Sequence, residues 1–386
     1  MNTTHKILLH WLALVTIACT TVHGQDFTDP INGSVQALQS NARGPAEGKN
    51  DAETGPRELP HDEKAEAIDL KKLGEGFNIV HAPHFTIFHN VPENEIQGFK
   101  AASEKTYSSS VKYMQSLGMT PQYPKAKLHT FYFSNQDQFK RCANLLEGDP
   151  GLSEGKYFLR ANRSAFFNLK NRSGGLQSVE ATQANINRLK EQLDKAKSQS
   201  ERQSLQKQIA AEREKEKAAI AYGNDWNTVL LQHELAHQIL FNFGFHTQLG
   251  CPTNPRWFVE GTALMLESTG NGKSSNIGAV NQLRLRDYRR QEKEGKLIDP
   301  KELICGENTF NNAATMNPAY NTAWALTHYL NRTKRTKIRV YADLIKKRTV
   351  DYRSTPEQEV ETFEAAFGKL DDKWIQKWRD WMKQVR

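Results

Sequence analysis

The sequence predicts an α+β fold that consists of a small N-terminal lobe of strands and helices, a helical hairpin and a mainly helical C-terminal lobe. Between residues 74 and 175, short runs of β-branched and aromatic residues alternate with segments of helical periodicity. Residues 176–221 are mostly Lys, Glu, Gln, Ala and Arg, with apolar residues at helical spacing, as in an antiparallel helical hairpin. From residue 222 to residue 386, apolar residues recur at helical spacing.

The first 24 residues have the pattern of a secretory signal peptide. An apolar run extends from Ile7 to Ala18, and small and polar residues follow it as far as Gly24. The run is shorter than the ~20 residues that cross a bilayer, which argues against the alternative of a membrane span. We therefore expect a secreted or periplasmic protein that starts near Gln25, and lipid anchoring through Cys19 is the alternative.

Residues 25–73 are rich in Gly, Pro, Asn, Asp and Glu and contain few large apolar residues. Such a segment cannot bury enough apolar surface to fold by itself, so we expect a flexible leader. Ordered structure is then expected from about Phe77. In the lobe that follows, we predict strands at residues 77–80, 85–88, 127–133 and 164–169, and helices at residues 93–117 and 136–146.

The hairpin is predicted to turn near Ser198–Ser200. Its charged composition favours a solvated helical spacer, and the alternative is an arm that binds a partner or positions a substrate. Gly244 is a typical stop for the next helix, and Asn254–Pro255 is a typical start for the one after it. In the C-terminal lobe we predict helices at residues 226–243, 255–268, 278–294, 320–331 and 338–347, and two more between residue 357 and the end.

Composition and charge exclude several classes of protein. A mean hydropathy of -0.70 with 25% charged residues is typical of a water-soluble chain, so no stable membrane span is expected. The net charge is +8, but the 52 basic residues are interleaved with 44 acidic ones, so no nucleic-acid binding is expected. Cys142, Cys251 and Cys305 are spaced too widely for a cysteine-based zinc site. The alternatives are a disulfide between Cys251 and Cys305 or three buried small residues.

The residues that carry chemistry are His233-Glu234-Leu235-Ala236-His237, an H-E-x-x-H motif inside a predicted helix. Two histidines four residues apart lie on one helix face, so both imidazoles can bind the same ion. Glu234 projects beside them and can accept a proton from water that a zinc ion activates. The helix is apolar around most of its circumference and is expected to be buried, where such polar groups need a partner. The alternative is that hydrogen bonds satisfy all three side chains.

Glu260 is predicted to be the third metal ligand. A catalytic zinc site takes three protein ligands and keeps one open position. Glu260 lies on the next predicted helix, far enough along the chain for that helix to lie beside the first. Gly261 would let the two backbones approach closely.

These two blocks, His233–His237 and Trp257–Ala263, resemble the gluzincin branch of the zincin metallopeptidases. More narrowly, they are similar to peptidase-MA-like exported bacterial proteins, many of which are domains of unknown function. The resemblance extends in layout from about Phe77 to Trp378 and implies a zincin fold with the active site between the lobes. Further residues that stand in the family order are Tyr320-Asn321-Thr322-Ala323-Trp324, Tyr329-Leu330, Phe367-Gly368 and Trp374.

The resemblance also implies a Tyr or His that stabilises the transition-state oxyanion. Tyr320 matches the position of the family tyrosine, and His328 and Tyr329 are weaker candidates; the alternative for Tyr320 is an ordinary core aromatic. In some gluzincins an acid four residues after the glutamate ligand orients a histidine, but here that position is Leu264. Glu267 is the candidate for this role. His246 is expected to be a loop histidine rather than a ligand.

The sequence thus predicts a zinc metallohydrolase, a gluzincin-type peptidase in which His233, His237 and Glu260 bind Zn²⁺ and Glu234 is the catalytic base. The expected substrates are peptides or proteins, including peptide material of the cell wall. One alternative is an inactive zinc-binding scaffold whose hairpin recruits a partner. Another is a zinc hydrolase that acts on a non-peptide substrate. The hairpin departs from the family pattern, so substrate preference does not transfer.

Overall fold

The described part of the chain combines a five-stranded sheet with many helices, so the fold is mixed α+β and mostly helical. The computed structural model describes residues 55–148, 150, 153–169, 176–249, 253–267, 279–349, 352 and 354–386. The predicted signal peptide, Cys19, Cys251 and residues 25–54 of the predicted leader lie outside these ranges. Within these ranges, no helix is long and apolar enough to cross a membrane.

The sheet has the strand order β1-β2-β3-β5-β4. The three inner strands β2, β3 and β5 run parallel, and the edge strands β1 and β4 run antiparallel to their neighbours. Strand β4 was not predicted, because it is only four residues long and follows a turn-rich segment. The strands are β1 (Asn78–His81), β2 (Phe85–His89), β3 (Leu128–Phe133), β4 (Gly155–Phe158) and β5 (Arg163–Phe167).

The helices of the first half surround this sheet and continue into the hairpin. They are α1 (Glu63–Leu73), α2 (Glu93–Ser116), α3 (Gln136–Leu146), α4 (Leu176–Lys195) and α5 (Gln199–Asn242). The helices of the second half are α6 (Arg256–Leu264), α7 (Gln282–Lys293), α8 (Pro300–Cys305), a 3₁₀ turn at Glu307–Phe310, α9 (Met316–Thr333), α10 (Arg335–Lys346), α11 (Pro356–Phe367) and α12 (Asp372–Gln384).

Ordered structure begins before the predicted start at Phe77, because helix α1 occupies part of the predicted leader. Its Asp69 side chain is buried and accepts hydrogen bonds of 2.6 Å from Nδ1 of His129 and from Nε of Arg163. Burial alone would raise the pKa of Asp69, but the His129 hydrogen bond and the Arg163 charge lower it overall. Composition predicted flexibility because the segment has few large apolar residues. In the structure, the Asp69 contacts hold α1 on the sheet, and the two leucines of α1 pack against the main core.

Helix α5 joins the hairpin to the metal-binding motif as one continuous helix of 44 residues. The sequence predicted a boundary between them near residue 222. Gly223 is the weakest helix former at that point, and a single glycine costs only about 1 kcal/mol in a helix. The helix ends at the predicted stop, where Gly244 has a φ of 71°.

The hairpin has an apolar cluster of its own. Leu193 packs against this cluster, which is separate from the main core and lies between α4 and α5. A self-contained cluster of this kind stabilises the hairpin without contributing to the sheet or to the rest of the helical lobe. Its buried members are Ile186, Leu189, Ala196, Leu205 and Ile209.

We expect a variant in which a short linker replaces residues 178–218 to fold and to keep the metal site. The hairpin cluster is separate from the main core, so the deletion removes little apolar burial from the remainder. Circular dichroism melting and metal analysis would measure this. As a control, Leu205→Asp should open the hairpin and leave the same core melting transition. An insoluble or metal-free deletion variant would show that the hairpin belongs to the core or to the site.

Helix α6 lies directly against α9, and Gly261 is the point of contact. A Cβ atom at this position would clash with Oγ1 of Thr327 and lie 3.2 Å from the carbonyl oxygen of Ala323. The predicted need for glycine here is therefore met, although the close neighbour is α9 rather than the helix that carries the histidines.

We expect Gly261→Ala to lower the free energy of unfolding by roughly 1–3 kcal/mol, because the added methyl group overpacks the α6–α9 contact. Gly98→Ala in α2 is the matched control, since nothing lies within 4 Å of its Cβ position. The control should gain about 0.5–1 kcal/mol from the better helix propensity of alanine. Urea unfolding of both variants measures the difference. A Gly261→Ala protein as stable as the Gly98→Ala protein would contradict the close approach.

Cys142 is buried, and burial raises the pKa of its thiol to about 12. Sγ of Cys305 lies 3.4 Å from the carbonyl oxygen of Pro356. Because Cys251 lies outside the described residues, its pairing with Cys305 stays a prediction.

Candidate metal centre

Three of the predicted site residues lie one helical turn apart or less on α5. His233, Glu234 and His237 are all buried, with exposed fractions of 0–2%. The four-residue spacing places Nε2 of His233 3.1 Å from Nε2 of His237. The helix geometry thus brings two imidazole nitrogens to one point inside the protein.

Helix α6 brings Glu260 to the same point. Its Oε2 atom lies 3.2 Å from Nε2 of His233 and 3.5 Å from Nε2 of His237. Between α5 and α6, the side chain of Asn254 accepts a hydrogen bond from the Thr247 N–H and donates one to the Thr247 carbonyl. These two hydrogen bonds stabilise the connection between the helices. Asn254 was predicted to cap α6, but the helix starts after Pro255 without a side-chain cap.

The ligand atoms of His233, His237 and Glu260 fit a metal ion. They lie within 4.8 Å of one another, and all three residues are buried. Zinc–ligand distances of about 2.0–2.1 Å in a tetrahedral site place neighbouring ligand atoms roughly 3.3 Å apart. The separations of 3.1, 3.2 and 3.5 Å match that spacing. These residues could therefore hold a tetrahedral cation such as zinc.

Glu234 lies beside this cluster with its two carboxylate oxygens in different environments. Oε2 accepts a hydrogen bond of 2.9 Å from the backbone N–H of Tyr157 in β4. Oε1 is buried and has no hydrogen-bond partner among the described residues. A buried acceptor without a protein partner indicates a place for a polar group from outside the chain, such as water or a substrate. Sequence reasoning missed the Tyr157 donor because a backbone N–H has no side-chain signal.

The charges around the cluster favour positive charge at its centre. Burial lowers the pKa of His233, but its hydrogen bonds to Glu260 and Glu267 raise it to about 10 overall. For Glu260, burial raises the pKa, but the hydrogen bonds to both histidines lower it overall. Burial raises the pKa of Glu234 to about 8. Burial lowers the pKa of His237, so the two acids favour positive charge chiefly at His233. Acids placed in this way would also favour a bound cation.

Glu267 occupies the orienting position proposed for it from the sequence. Its Oε1 atom lies 3.0 Å from Nδ1 of His233, on the opposite side of the ring from the cluster. Arg284 of α7 donates two hydrogen bonds of 3.1 and 3.0 Å to the two oxygens of Glu267, and Asn281 donates a third of 3.2 Å. This contact fixes the His233 ring, as carboxylates do for metal-binding histidines. Arg284 and Asn281 carried no signal in the sequence.

Tyr320 on α9 is buried near the cluster, with its ring centroid 6.2 Å from that of His233. The weaker candidates contact other residues. His328 stacks on Trp324 at 5.3 Å, and the Tyr329 ring packs against two tryptophans. Of the three candidates, Tyr320 is therefore the one that the structure brings to the histidines.

His246 is not a member of the cluster. It is buried in the loop after α5, where its Nε2 atom lies 3.0 Å from Oγ1 of Thr262. Burial lowers its pKa well below the usual value, which disfavours a positive charge on the ring. This placement agrees with the prediction of a loop histidine.

Comparison with known proteins adds a family match for part of the chain. Residues 227–351, less than half of the sequence, match the sequence model of a family described as a protein of unknown function (DUF1570). No curated protein and no solved structure matches the chain. The H-E-x-x-H motif, Glu260 and Tyr320 all lie inside the matched segment.

Proposed function

We propose that the protein is a secreted or periplasmic zinc-dependent metallohydrolase, a peptidase with a gluzincin-like zincin fold. The observation that carries the proposal is the free oxygen of Glu234, buried beside three converging metal ligands. A site that served only to bind a metal would have no use for a further buried acid beside its three ligands, because burying that acid is costly. The intact Glu234 thus favours an enzyme over an inactive scaffold.

The ligands would be His233, His237 and Glu260. A zinc ion bound by these three residues would supply Lewis acidity and a water molecule with a pKa of roughly 7. Glu234 accepts the proton of the attacking water at Oε1, while the Tyr157 N–H holds Oε2 and so fixes the direction of the carboxylate. Glu267 keeps the imidazole of His233 in place.

The remaining groups favour an amide as the substrate. Attack on a carbonyl develops negative charge on its oxygen, and Tyr320 is the donor assigned to that charge. Strand β4, whose backbone contacts Glu234, is the last strand in the sheet order of the described residues. All four residues of β4 are buried, so a peptide that paired with this edge would bind inside a cleft, with its carbonyl groups beside Glu234. Peptides, including those of the cell wall, are therefore the proposed substrates.

The proposal is tested first by metal content. We expect His237→Ala to lose one zinc ion per chain, because two protein ligands do not retain zinc as three do. His246→Ala is the matched control, since it removes a second buried histidine that is outside the cluster. Elemental analysis of proteins purified without chelators measures both. Equal zinc content in the two variants would contradict the assigned ligands, and an unreactive wild-type protein in a peptide-library assay would contradict the peptidase activity.

A further inference from the structure

A second cluster of metal-binding side chains lies at the β1 edge of the sheet. His61 precedes helix α1, Glu66 lies in the first turn of α1, and His81 is the last residue of β1. Each offers one ligand atom, and these atoms lie within 4.8 Å of one another. The three residues come from separate elements, so their meeting is a property of the fold.

The distances from both imidazoles to Glu66 are close to those between ligands of one metal ion. Nδ1 of His61 lies 3.4 Å from Oε1 of Glu66, and Nδ1 of His81 lies 3.8 Å from the same oxygen. Charge-assisted hydrogen bonds between such groups are about 2.7–2.9 Å long, so both separations are too long for good ion pairs. They are within about half an ångström of the roughly 3.3 Å between neighbouring ligands of a tetrahedral zinc ion.

The cluster combines a buried acid with accessible imidazoles. The Glu66 side chain is 11% exposed, whereas those of His61 and His81 are 43% and 36% exposed. The Thr86 hydroxyl donates a hydrogen bond of 2.8 Å to Oε1 of Glu66 and holds the carboxylate in place. An ion can therefore reach the exposed imidazoles from solvent, and the carboxylate that would bind it is already held in position by Thr86.

The charges around His81 act in both directions. The carboxylate of Glu66 has the largest charge effect on His81 and favours a cation, whereas His61, Lys127 and His129 oppose one. The Nζ atom of Lys127 is itself paired with Oε1 of Glu58 at 2.7 Å. Two imidazoles and one carboxylate suit zinc, copper or nickel, whereas calcium and magnesium prefer ligand sets made of oxygen atoms. The chemistry of the donors therefore selects a divalent transition metal.

We propose that His61, Glu66 and His81 form a second binding site for a divalent transition metal such as zinc. The ion would tie the segment before α1 and helix α1 itself to the edge strand β1. Its role would be structural, since it fastens the N-terminal helix to the sheet away from the histidines of α5. This site is independent of the proposed hydrolase activity.

The test is zinc stoichiometry on the whole chain, measured by elemental analysis after equilibration with zinc and gel filtration. We expect two zinc ions per chain in the wild type and one in the double variant His61→Ala/His81→Ala. The wild type and the double variant have all other histidines in common, so zinc bound non-specifically by those residues is the same in both proteins. An unchanged zinc content in the double variant would overturn the proposal.

A second set of variants separates this site from the α5 site. Glu66→Gln keeps an oxygen that can accept the Thr86 hydrogen bond but removes the charged ligand, so it should weaken zinc binding more than tenfold. Glu63→Gln is the matched control, since Glu63 is an exposed acid of the same helical turn outside the cluster. His237→Ala should keep the zinc-dependent rise in melting temperature that comes from the second site. The proposal would also be overturned if zinc no longer raised the melting temperature of His237→Ala but still raised that of His61→Ala/His81→Ala.

Discussion

Replacing Glu234 by Gln is expected to abolish most hydrolysis while leaving the metal in place. Glutamine has the size and helix preference of glutamate, and its oxygen can still accept the Tyr157 N–H hydrogen bond. It cannot accept a proton from water, so the rate should fall by the roughly 10²–10⁴-fold typical of losing a positioned general base. Zinc content and melting temperature should change little, because Glu234 is not among the three ligands.

Glu260→Gln is the matched control for Glu234→Gln. It makes the same chemical change at a buried glutamate of the same site, but it removes a charged ligand and should lower zinc retention. Elemental analysis and a peptide-hydrolysis assay on both variants distinguish base from ligand. Full activity in Glu234→Gln would refute the mechanism. A wild type and a Glu234→Gln variant that are equally inert but bind zinc and a common partner would favour the scaffold alternative.

The centre of the candidate site was predictable because it depends on local spacing. Two histidines four residues apart meet on any helix, so His233 and His237 needed no knowledge of the fold. Glu260 was predictable because a catalytic zinc site needs a third ligand and the next helix offered one. Its neighbour Gly261 was expected to allow a close approach to the histidine helix, whereas the close contact is with α9, which the sequence does not reveal.

The parts that were missed depend on contacts between distant segments. Helix α1 has too few apolar residues to be recognised as ordered, and its position depends on Asp69, His129 and Arg163, which are far apart in the chain. Strand β4 is short, and its contribution to the site is the backbone N–H of Tyr157. Hydrophobic periodicity reports which face of an element is buried and contains no information on polar contacts of this kind.

Arg284 shows the same limit inside the site, and its substitution has the second of the large expected effects. Its guanidinium group forms a two-point ion pair with Glu267, whose side chain is completely buried. Arg284→Met would leave that carboxylate without its counter-ion, which costs roughly 3–5 kcal/mol for a broken buried pair. Glu267 would then tend to take up a proton and would hold the His233 ring less well, so zinc affinity should fall roughly 10–100-fold.

The matched control is Arg290→Met on the same helix. Arg290 is paired with Asp287 at 3.4 Å, but its side chain is 32% exposed and Asp287 keeps a second partner in Arg286 at 3.6 Å, so its loss should cost less than about 1 kcal/mol. Urea unfolding and chelator competition with zinc measure stability and affinity in both variants. An Arg284→Met protein that matches the control in both measurements would contradict the role of Arg284.

The double variant Glu267→Leu/Arg284→Met separates stability from positioning. Replacing both members of a buried ion pair by apolar side chains is often neutral for stability, so the free energy of unfolding should recover relative to Arg284→Met. Zinc affinity should stay low, because no carboxylate then holds Nδ1 of His233. If affinity recovered together with stability, the Glu267–Arg284 pair would act through the fold alone. Low affinity with recovered stability would identify Glu267 as a positioning residue, with Arg284 keeping it ionised.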